Sequence, residues 1–321
     1  MGYTQHSGGG MRRVRYYQHG GPEVLRLESA PTPRPGPGDL LVRTEAIGVT
    51  LPVVRKVRDG GDSASLPGIL GGEIAGRVIA IGSQVSGFAV GDRVTSLTFT
   101  GSYADEVLAP AFMASRIPDD ASAKQAVALV RSGHVALAAL AAARVTPTDS
   151  VLVTGAASGV GHLAIQLAKH RGAGRVVAAV SSRAKADFLY GLGADHVVTY
   201  GSDNWGDPVD VVLDGVGGDL LRPAVAALRP GGCLVFFNSG GGTIPAYELL
   251  AGSKTITGLA MAHFAQTHRE LYDQHHQQLW QLSRTTQLRA AVHAEIPLAD
   301  AATAHRIIEA RANLGKVVLI P

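Results

Sequence analysis

The residues best suited to hold a charged ligand lie in Gly155-Ala156-Ala157-Ser158-Gly159-Val160-Gly161. The segment follows an apolar run, Val151-Leu152-Val153-Thr154, and opens a stretch with helical spacing from about Gly159 to His170. It is a variant of the glycine fingerprint. Ala156 and Ser158 occupy its first two glycine positions, and Gly159 and Gly161 remain. Small side chains let the backbone approach a pyrophosphate, so that Ala157, Ser158, Gly159 and Val160 are candidate contacts. The anion rests on free N–H groups at the helix N-terminus, where the helix dipole also favours negative charge. Gly161 has a second use, close packing of the helix on its strand. A lone glycine motif is weak, but one between a strand and a helix, at the head of alternating units, is strong.

The residues after the next strand decide which dinucleotide is expected. An NAD site usually carries Asp or Glu ~20 residues beyond the loop, where it binds the ribose hydroxyls. Here the strand ends Val180-Ser181-Ser182-Arg183-Ala184-Lys185, without a carboxylate. Serine hydroxyls and a lysine attract a 2′-phosphate that a carboxylate would repel. Tyr200, after the third strand, offers another hydroxyl. The expected cofactor is NADPH.

Other chemistries find less support. One cysteine, Cys233, excludes a disulfide within the chain and any multi-Cys metal site. In the run Cys233-Leu234-Val235-Phe236-Phe237 it is expected as a small buried hydrophobe. His268, His275 and His276 have no Cys or carboxylate at ligand spacing and are expected as solvated positions on a polar helix. The net charge is +3, with Lys and Arg scattered along the chain. The densest run, Arg12-Arg13-Val14-Arg15, is expected to be a solvated strand rather than a nucleic-acid arm.

These residues need elements to place them. The 321-residue chain is 46% hydrophobic and 17% charged, enough for a sizeable core in one large or two medium domains. Its first ~120 residues hold short strand candidates, Leu40 to Ala46, Ile74 to Ile81 and Arg93 to Leu97, which point to a barrel-like β domain. The run from Pro31 to Gly38 cannot be helix or central strand, because proline lacks the donor. An Ala- and Leu-rich helix is predicted from Lys124 to Ala143. Apolar strands then alternate with helices: 151–154, 176–180, 196–198, 209–213, 233–237 and 255–257. Six such strands point to a parallel sheet covered on both faces, in a doubly wound nucleotide-binding domain. Helices over 267–288 and 298–312 and a last strand, 317–320, follow and are read as returning to the first domain. No apolar stretch approaches the ~18 residues of a membrane span, and no signal sequence opens the chain, so a cytoplasmic location is expected. The first ten residues, with Ser7-Gly8-Gly9-Gly10, are expected to be a flexible tail.

Several segments together resemble the medium-chain dehydrogenase/reductase superfamily, in its zinc-independent quinone oxidoreductase (zeta-crystallin-like) branch. They are Gly20-Gly21-Pro22-Glu23-Val24-Leu25, Ala46-Ile47-Gly48-Val49, Gly71-Gly72-Glu73-Ile74-Ala75-Gly76, Val90-Gly91-Asp92-Arg93-Val94, Gly101-Ser102-Tyr103-Ala104, the loop Ala156 to Gly161, and Gly315-Lys316-Val317-Val318-Leu319. The resemblance covers nearly the whole chain from about Met11. It implies an α/β fold in which a doubly wound parallel Rossmann domain, 123–257, is inserted in a split, mainly β, GroES-like catalytic domain, 1–122 and 258–321. It also implies a cleft between the domains and a homodimer. Carried over by residue, it puts Ser181, Lys185 and Tyr200 at the 2′-phosphate and Ala157 to Val160 at the pyrophosphate. Phe237, Asn238 and Ser239 fall near the nicotinamide end, with Arg311 close to the cofactor. The zinc enzymes of the superfamily carry a His ligand at the position of Gly72 and a Cys in the stretch Gly48 to Pro52. This chain has neither, nor a four-Cys lobe, so no metal is expected.

The chain departs from the family where substrate binds. Family members often have Asn at Thr50, Asp at Val53 and Tyr near Arg55. A family Thr is Val135 here, and Pro52 stiffens a segment that is not usually Pro. The cofactor cradle is kept while the substrate side is rewritten. Hydride transfer to a conjugated acceptor develops an anion that needs a donor. Thr50 is the candidate hydrogen-bond donor and Arg55 the candidate electrostatic stabiliser, with water as a source of the proton. His134, near the expected cleft by motif alignment, is a weaker candidate proton donor and is expected instead to be a packed interdomain histidine. The expected activity is zinc-free, NADPH-dependent reduction of a small quinone or enone, with no nucleic-acid or membrane partner. The alternatives are an enoyl reductase that tailors secondary metabolites and a non-catalytic NADPH-binding protein.

Overall fold

The computed structural model describes residues 10–60 and 65–321. The tail expected at the N-terminus lies outside the described residues, except for Gly10. Strands β1 (Met11–Tyr16), β2 (Arg26–Ala30) and β3 (Asp39–Val49) lead to helix α1 (Leu51–Asp59). Strands β4 (Gly68–Ile69), β5 (Gly72–Ile81), β6 (Arg93–Thr98), β7 (Glu106–Pro110) and β8 (Ala114–Arg116) follow, then helix α2 (Ala123–Ala142). The alternating stretch is β9 (Ser150–Thr154), α3 (Gly161–His170), β10 (Arg175–Val180), α4 (Ala186–Tyr190), β11 (His196–Thr199), β12 (Val209–Asp214), α5 (Leu221–Ala226), β13 (Leu228–Phe236), α6 (Ala246–Ala251) and β14 (Thr255–Gly258). Helices α7 (Met261–Thr267) and α8 (Arg269–Arg284), strand β15 (Val292–Pro297), helix α9 (Ala301–Glu309) and strand β16 (Lys316–Ile320) close the chain.

The chain divides into two units. The first is Met1–Val127, Ala294–Ala312 and Val317–Pro321; the second is Ala128–His293 and Asn313–Lys316. Residues 258–293, expected with the split domain, group with the second unit. The reason lies in packing: α8 buries Tyr272, His275, Leu279, Trp280 and Leu282. Gly133 on α2 leaves room for Leu279, and the His134 ring stacks on Tyr272 at 3.9 Å.

In the first unit the mainly antiparallel sheet runs β15-β16-β3-β5-β6-β8, with β7 also on β3, beside a three-stranded sheet β2-β1-β4. The basic run falls on β1, where Arg12 pairs with Asp105 at 2.9 Å and Arg13 with Glu28 at 2.8 Å. These are partly exposed pairs of small energetic weight.

In the second unit six parallel strands run β11-β10-β9-β12-β13-β14. Counted from β9, this is the doubly wound order 3-2-1-4-5-6. Strands β9, β10 and β12 are apolar nearly throughout because helices cover both faces. The order reverses between β9 and β12, which opens a crevice at their C-terminal ends. Strand β13 starts five residues before the apolar run that marks it in sequence, since Leu228 pairs with Val209 ahead of a register shift. One correction concerns α2. Its length and a mean hydropathy of 1.3 are enough to cross a membrane, but 78% of that window is buried inside the protein, as in a core helix.

Candidate functional site

The loop between β9 and α3 is held from several sides. Ser158 N–H donates to Gly155 O at 2.8 Å, and Gly155 sits at φ +60°, where glycine is favoured. The Ser158 hydroxyl accepts from Gly161 N–H at 3.1 Å. Ala157 O accepts from Gly315 N–H at 2.8 Å. A Cβ on Gly161 would press on Gly155 O and on Ala156 Cα, so the bare glycine sets how closely α3 approaches its strand. Among the described residues, the N–H groups of Gly159 and Val160 donate to nothing. Two unused donors at a helix N-terminus are what a phosphate anion requires, so the loop fits a dinucleotide.

The other residues expected at the cofactor stand on the same sheet edge, because every strand runs in one direction. Ser181 and Lys185 follow β10, Ser181 exposed and Lys185 half-buried. Ser182 accepts from Ala184 N–H at 3.3 Å and so starts the turn that carries Lys185. Tyr200 follows β11, and its hydroxyl accepts from Gly155 N–H at 2.8 Å, tying it to the first residue of the loop. Phe237, Asn238 and Ser239 follow β13, with Phe237 against Gly215.

Asn238 is more constrained than its sequence indicates. Its Nδ2 donates to Asp214 O at 3.1 Å and to Asp214 Oδ2 at 3.0 Å, and its Oδ1 accepts from Gly240 N–H at 2.7 Å. Asp214, fully buried at the end of β12, also accepts from Thr154 Oγ1 at 2.6 Å, Val216 N–H at 3.1 Å and Gly217 N–H at 3.2 Å. This carboxylate organises the loops after β9, β12 and β13. Sequence reasoning missed it, although a lone Asp ending an apolar strand beside the loop strand is a usable signal. His162 was also missed. Its Nδ1–H donates to Ser158 O at 2.8 Å and its Nε2 accepts from Ala291 N–H at 3.0 Å, so the ring is the neutral Nδ1–H tautomer. Burial pushes its pKa down to about 4, which keeps that brace intact at neutral pH.

Thr50, Arg55 and Arg311 belong to the first unit, apart in the contact grouping from the cofactor-edge residues. Thr50 is the N-cap of α1 but makes no side-chain cap bond, and Pro52 lies in the helix's first turn. Arg55 is half-buried on α1. Arg311 follows α9 at φ +51°. Gly72 has φ +150°, strained for a residue with a side chain, and a Cβ there would make tight contacts, 3.1 Å from Gly48 O and 3.2 Å from Ser102 Oγ. Among the described residues no group of three or more His, Cys, Asp or Glu could hold a metal.

Two expectations need correction. His275 is 3% exposed rather than solvated, because α8 turns it inward toward Phe264 and His134; His276 is half-buried, and His268 alone is exposed. Cys233 is half-buried, and burial raises its thiol pKa. His134 is a packed histidine, 1% exposed and stacked on Tyr272.

The model of the alcohol dehydrogenase GroES-like domain matches residues 36–119, and that of the zinc-binding dehydrogenase matches residues 159–276. Quinone oxidoreductase of Pseudomonas aeruginosa is 32% identical over 327 residues, covering 97% of this chain and 99% of its own. The 2-haloacrylate reductase of a Burkholderia species is 31% identical over 328 residues, covering 95% and 97%. Escherichia coli quinone oxidoreductase complexed with NADPH superposes with a TM-score of 0.89 at 30% identity, covering 97% of this chain and 100% of that one. This chain belongs to the quinone oxidoreductase branch of the medium-chain dehydrogenase/reductase superfamily. As a member of that branch it is an oxidoreductase, and its architecture is the expected one, a Rossmann-type parallel sheet with a GroES-like β domain.

Proposed function

We propose that this oxidoreductase binds NADPH and reduces a small conjugated acceptor, a quinone or an enone, without zinc. The observation that carries the reading is the pair of unused N–H groups at Gly159 and Val160, on a sheet edge whose second strand ends in Ser181 and Lys185 without a carboxylate. NADPH, when bound, supplies hydride from its nicotinamide. The loop from Ala157 to Val160 holds the pyrophosphate. Ser181, Lys185 and Tyr200 hold the 2′-phosphate, Lys185 through a charge-assisted hydrogen bond. Phe237, Asn238 and Ser239 bound the nicotinamide end. The amide of Asn238 keeps its loop in place through Asp214. Arg311 completes the cofactor contacts. Thr50 donates a hydrogen bond to the oxygen that gains negative charge, Arg55 stabilises that charge, and water delivers the proton.

Gly72 and the absence of Cys between Gly48 and Pro52 support a metal-free reaction. Elemental analysis of chelator-treated, active protein is expected to find no zinc; one zinc per chain whose removal abolishes turnover would overturn this. The reading includes a cytoplasmic homodimer.

The rewritten stretch from Thr50 to Arg55 favours a second reading, an enoyl reductase of secondary metabolism. Steady-state NADPH oxidation against quinones, alkenals and enoyl thioesters separates the two. Turnover of quinones or alkenals supports the first, and turnover of enoyl thioesters alone supports the second. NADPH binding without any turnover across the panel makes the chain a cofactor-binding protein and overturns both.

A further inference from the structure

Two polar side chains on one face of α3 grip the segment that leads into β15. Gln166 Nε2 donates to Arg289 O at 3.0 Å, and its Oε1 accepts from Arg289 N–H at 2.8 Å. One turn earlier, His162 Nε2 accepts from Ala291 N–H at 3.0 Å. The spacings agree: four residues of helix rise about 6 Å, and two residues of extended chain span about 6.6 Å. Both side chains are buried, His162 at 0% exposure and Gln166 at 9%. The remaining bond of Gln166 stays within the helix, from Nε2 to His162 O at 2.9 Å. His162 instead reaches the phosphate loop.

The Nδ1–H of His162 donates to Ser158 O at 2.8 Å. The same oxygen accepts from the backbone N–H of His162 at 3.1 Å, so both lone pairs of this carbonyl are engaged. A trans peptide is planar, and its C=O and N–H point in opposite directions. Fixing Ser158 O therefore aims the N–H of Gly159, one of the two donors that the loop keeps for a phosphate. Ala291 fixes the ring in turn, because a backbone N–H can only donate and so leaves the ring proton on Nδ1. The preceding carbonyl, Ala157 O, accepts from Gly315 N–H at 2.8 Å, and the next backbone N–H, of Lys316, donates to Ala291 O at 2.9 Å. Two successive loop carbonyls are thus tied to one residue, Ala291.

We propose that His162 is a positioning residue for the cofactor: held by Ala291, its ring fixes the Ser158–Gly159 peptide plane and so points the Gly159 N–H at the pyrophosphate before NADPH arrives. The inference rests on the NADPH reading. His162 acts through Ser158, so its effect falls on cofactor affinity, and NADPH once bound reacts at the usual rate. A ring that only held α3 to residues 289–291 would alter stability without discriminating between ligands.

Substitutions separate the two bonds. His162→Asn places an amide N–H near the Nδ1 position, which keeps the bond to Ser158 O and gives up the one from Ala291. His162→Gln places an oxygen near the Nε2 position, which keeps Ala291 and gives up Ser158. His162→Leu gives up both. In calorimetric titrations His162→Asn should bind NADPH within about threefold of the wild type, and the Gln and Leu variants roughly tenfold more weakly or worse. Adenosine 2′-phosphate, which has no pyrophosphate, should bind the wild type and all these variants equally. In steady-state turnover His162→Gln should raise KM for NADPH and leave kcat unchanged. Gln166→Leu breaks the grip on Arg289 but not the bond to Ser158, so it should lower the melting temperature and keep NADPH affinity. Should His162→Leu not fold, the Asn and Gln variants decide. Wild-type NADPH affinity in His162→Gln overturns the assignment. So does a loss in His162→Asn or Gln166→Leu as large as in His162→Gln, or a parallel loss of adenosine 2′-phosphate binding. Failure of the wild type to bind NADPH at all overturns the cofactor reading itself.

Discussion

Replacing Gly161 by alanine tests how finely the loop must be placed. A Cβ there would meet Gly155 O, with Ala156 Cα at 2.7 Å and Ala156 C at 2.8 Å. All three are backbone atoms, so no side chain can swing aside. Reaching the 3.4 Å of ordinary contact from 2.7 Å requires α3 or the loop to move by at least about 0.7 Å, and the nearer Gly155 O requires more. The move would act on Gly159 and Val160, two residues or fewer before the substitution, whose N–H groups are the proposed phosphate donors. Overpacking of this kind costs about 1–3 kcal/mol of stability. A hydrogen bond to a charged group is worth about 1.5–3 kcal/mol, so misplacing even one donor weakens NADPH binding roughly tenfold or more. NADPH titration by fluorescence and thermal melting without cofactor read the two effects separately. Gly38→Ala is the control, since a Cβ there has nothing within 4 Å. A Gly161→Ala protein with wild-type affinity and melting temperature would refute the argument that bare backbone packing sets the loop.

Lys185→Ala is expected to raise the dissociation constant for NADPH roughly tenfold or more and to leave NADH nearly unchanged; equal wild-type affinity for the two cofactors would sink the assignment. Thr50→Ala and Arg55→Ala should lower turnover while keeping NADPH affinity. The Thr50 loss should be smaller than the ~2.7–4 kcal/mol of an irreplaceable oxyanion donor, because water can take its place. Arg55→Ala should penalise anionic acceptors most, and a parallel loss of NADPH binding in either variant would move the segment into the cofactor site. Burial holds His162, His275 and His305 neutral, with pKa values lowered to about 4, and lowers His134 well below the usual range. The unfolded chain binds these protons near pH 6.5, so stability is complete above that value and falls as pH drops toward 4. Melting temperatures that stay level from pH 7 to 5 would contradict this.

The local signals in the chain were enough for the α/β architecture and for the loop. Continuous apolar runs such as Val151-Leu152-Val153 have few other uses than a sheet covered on both faces, and a glycine-rich turn between strand and helix has one dominant chemistry. The lack of a carboxylate from Ser181 to Lys185 was legible for the same reason: a charge, or its absence, acts at a position set by local spacing. What the sequence could not show was which distant groups meet. Asp214 takes its hydrogen bonds from Thr154 and Asn238, 60 and 24 residues away. Gln166 and His162 on α3 brace the backbone at Arg289 and Ala291, more than 120 residues on. His275 reads as one more polar residue on a polar helix until the packing of α8 turns it inward. Lys316 reads as the start of a terminal strand until the fold lays it beneath Gly159. Propensity and period act over a few residues, whereas burial and its cost to a charged or polar group depend on neighbours that only the tertiary fold supplies.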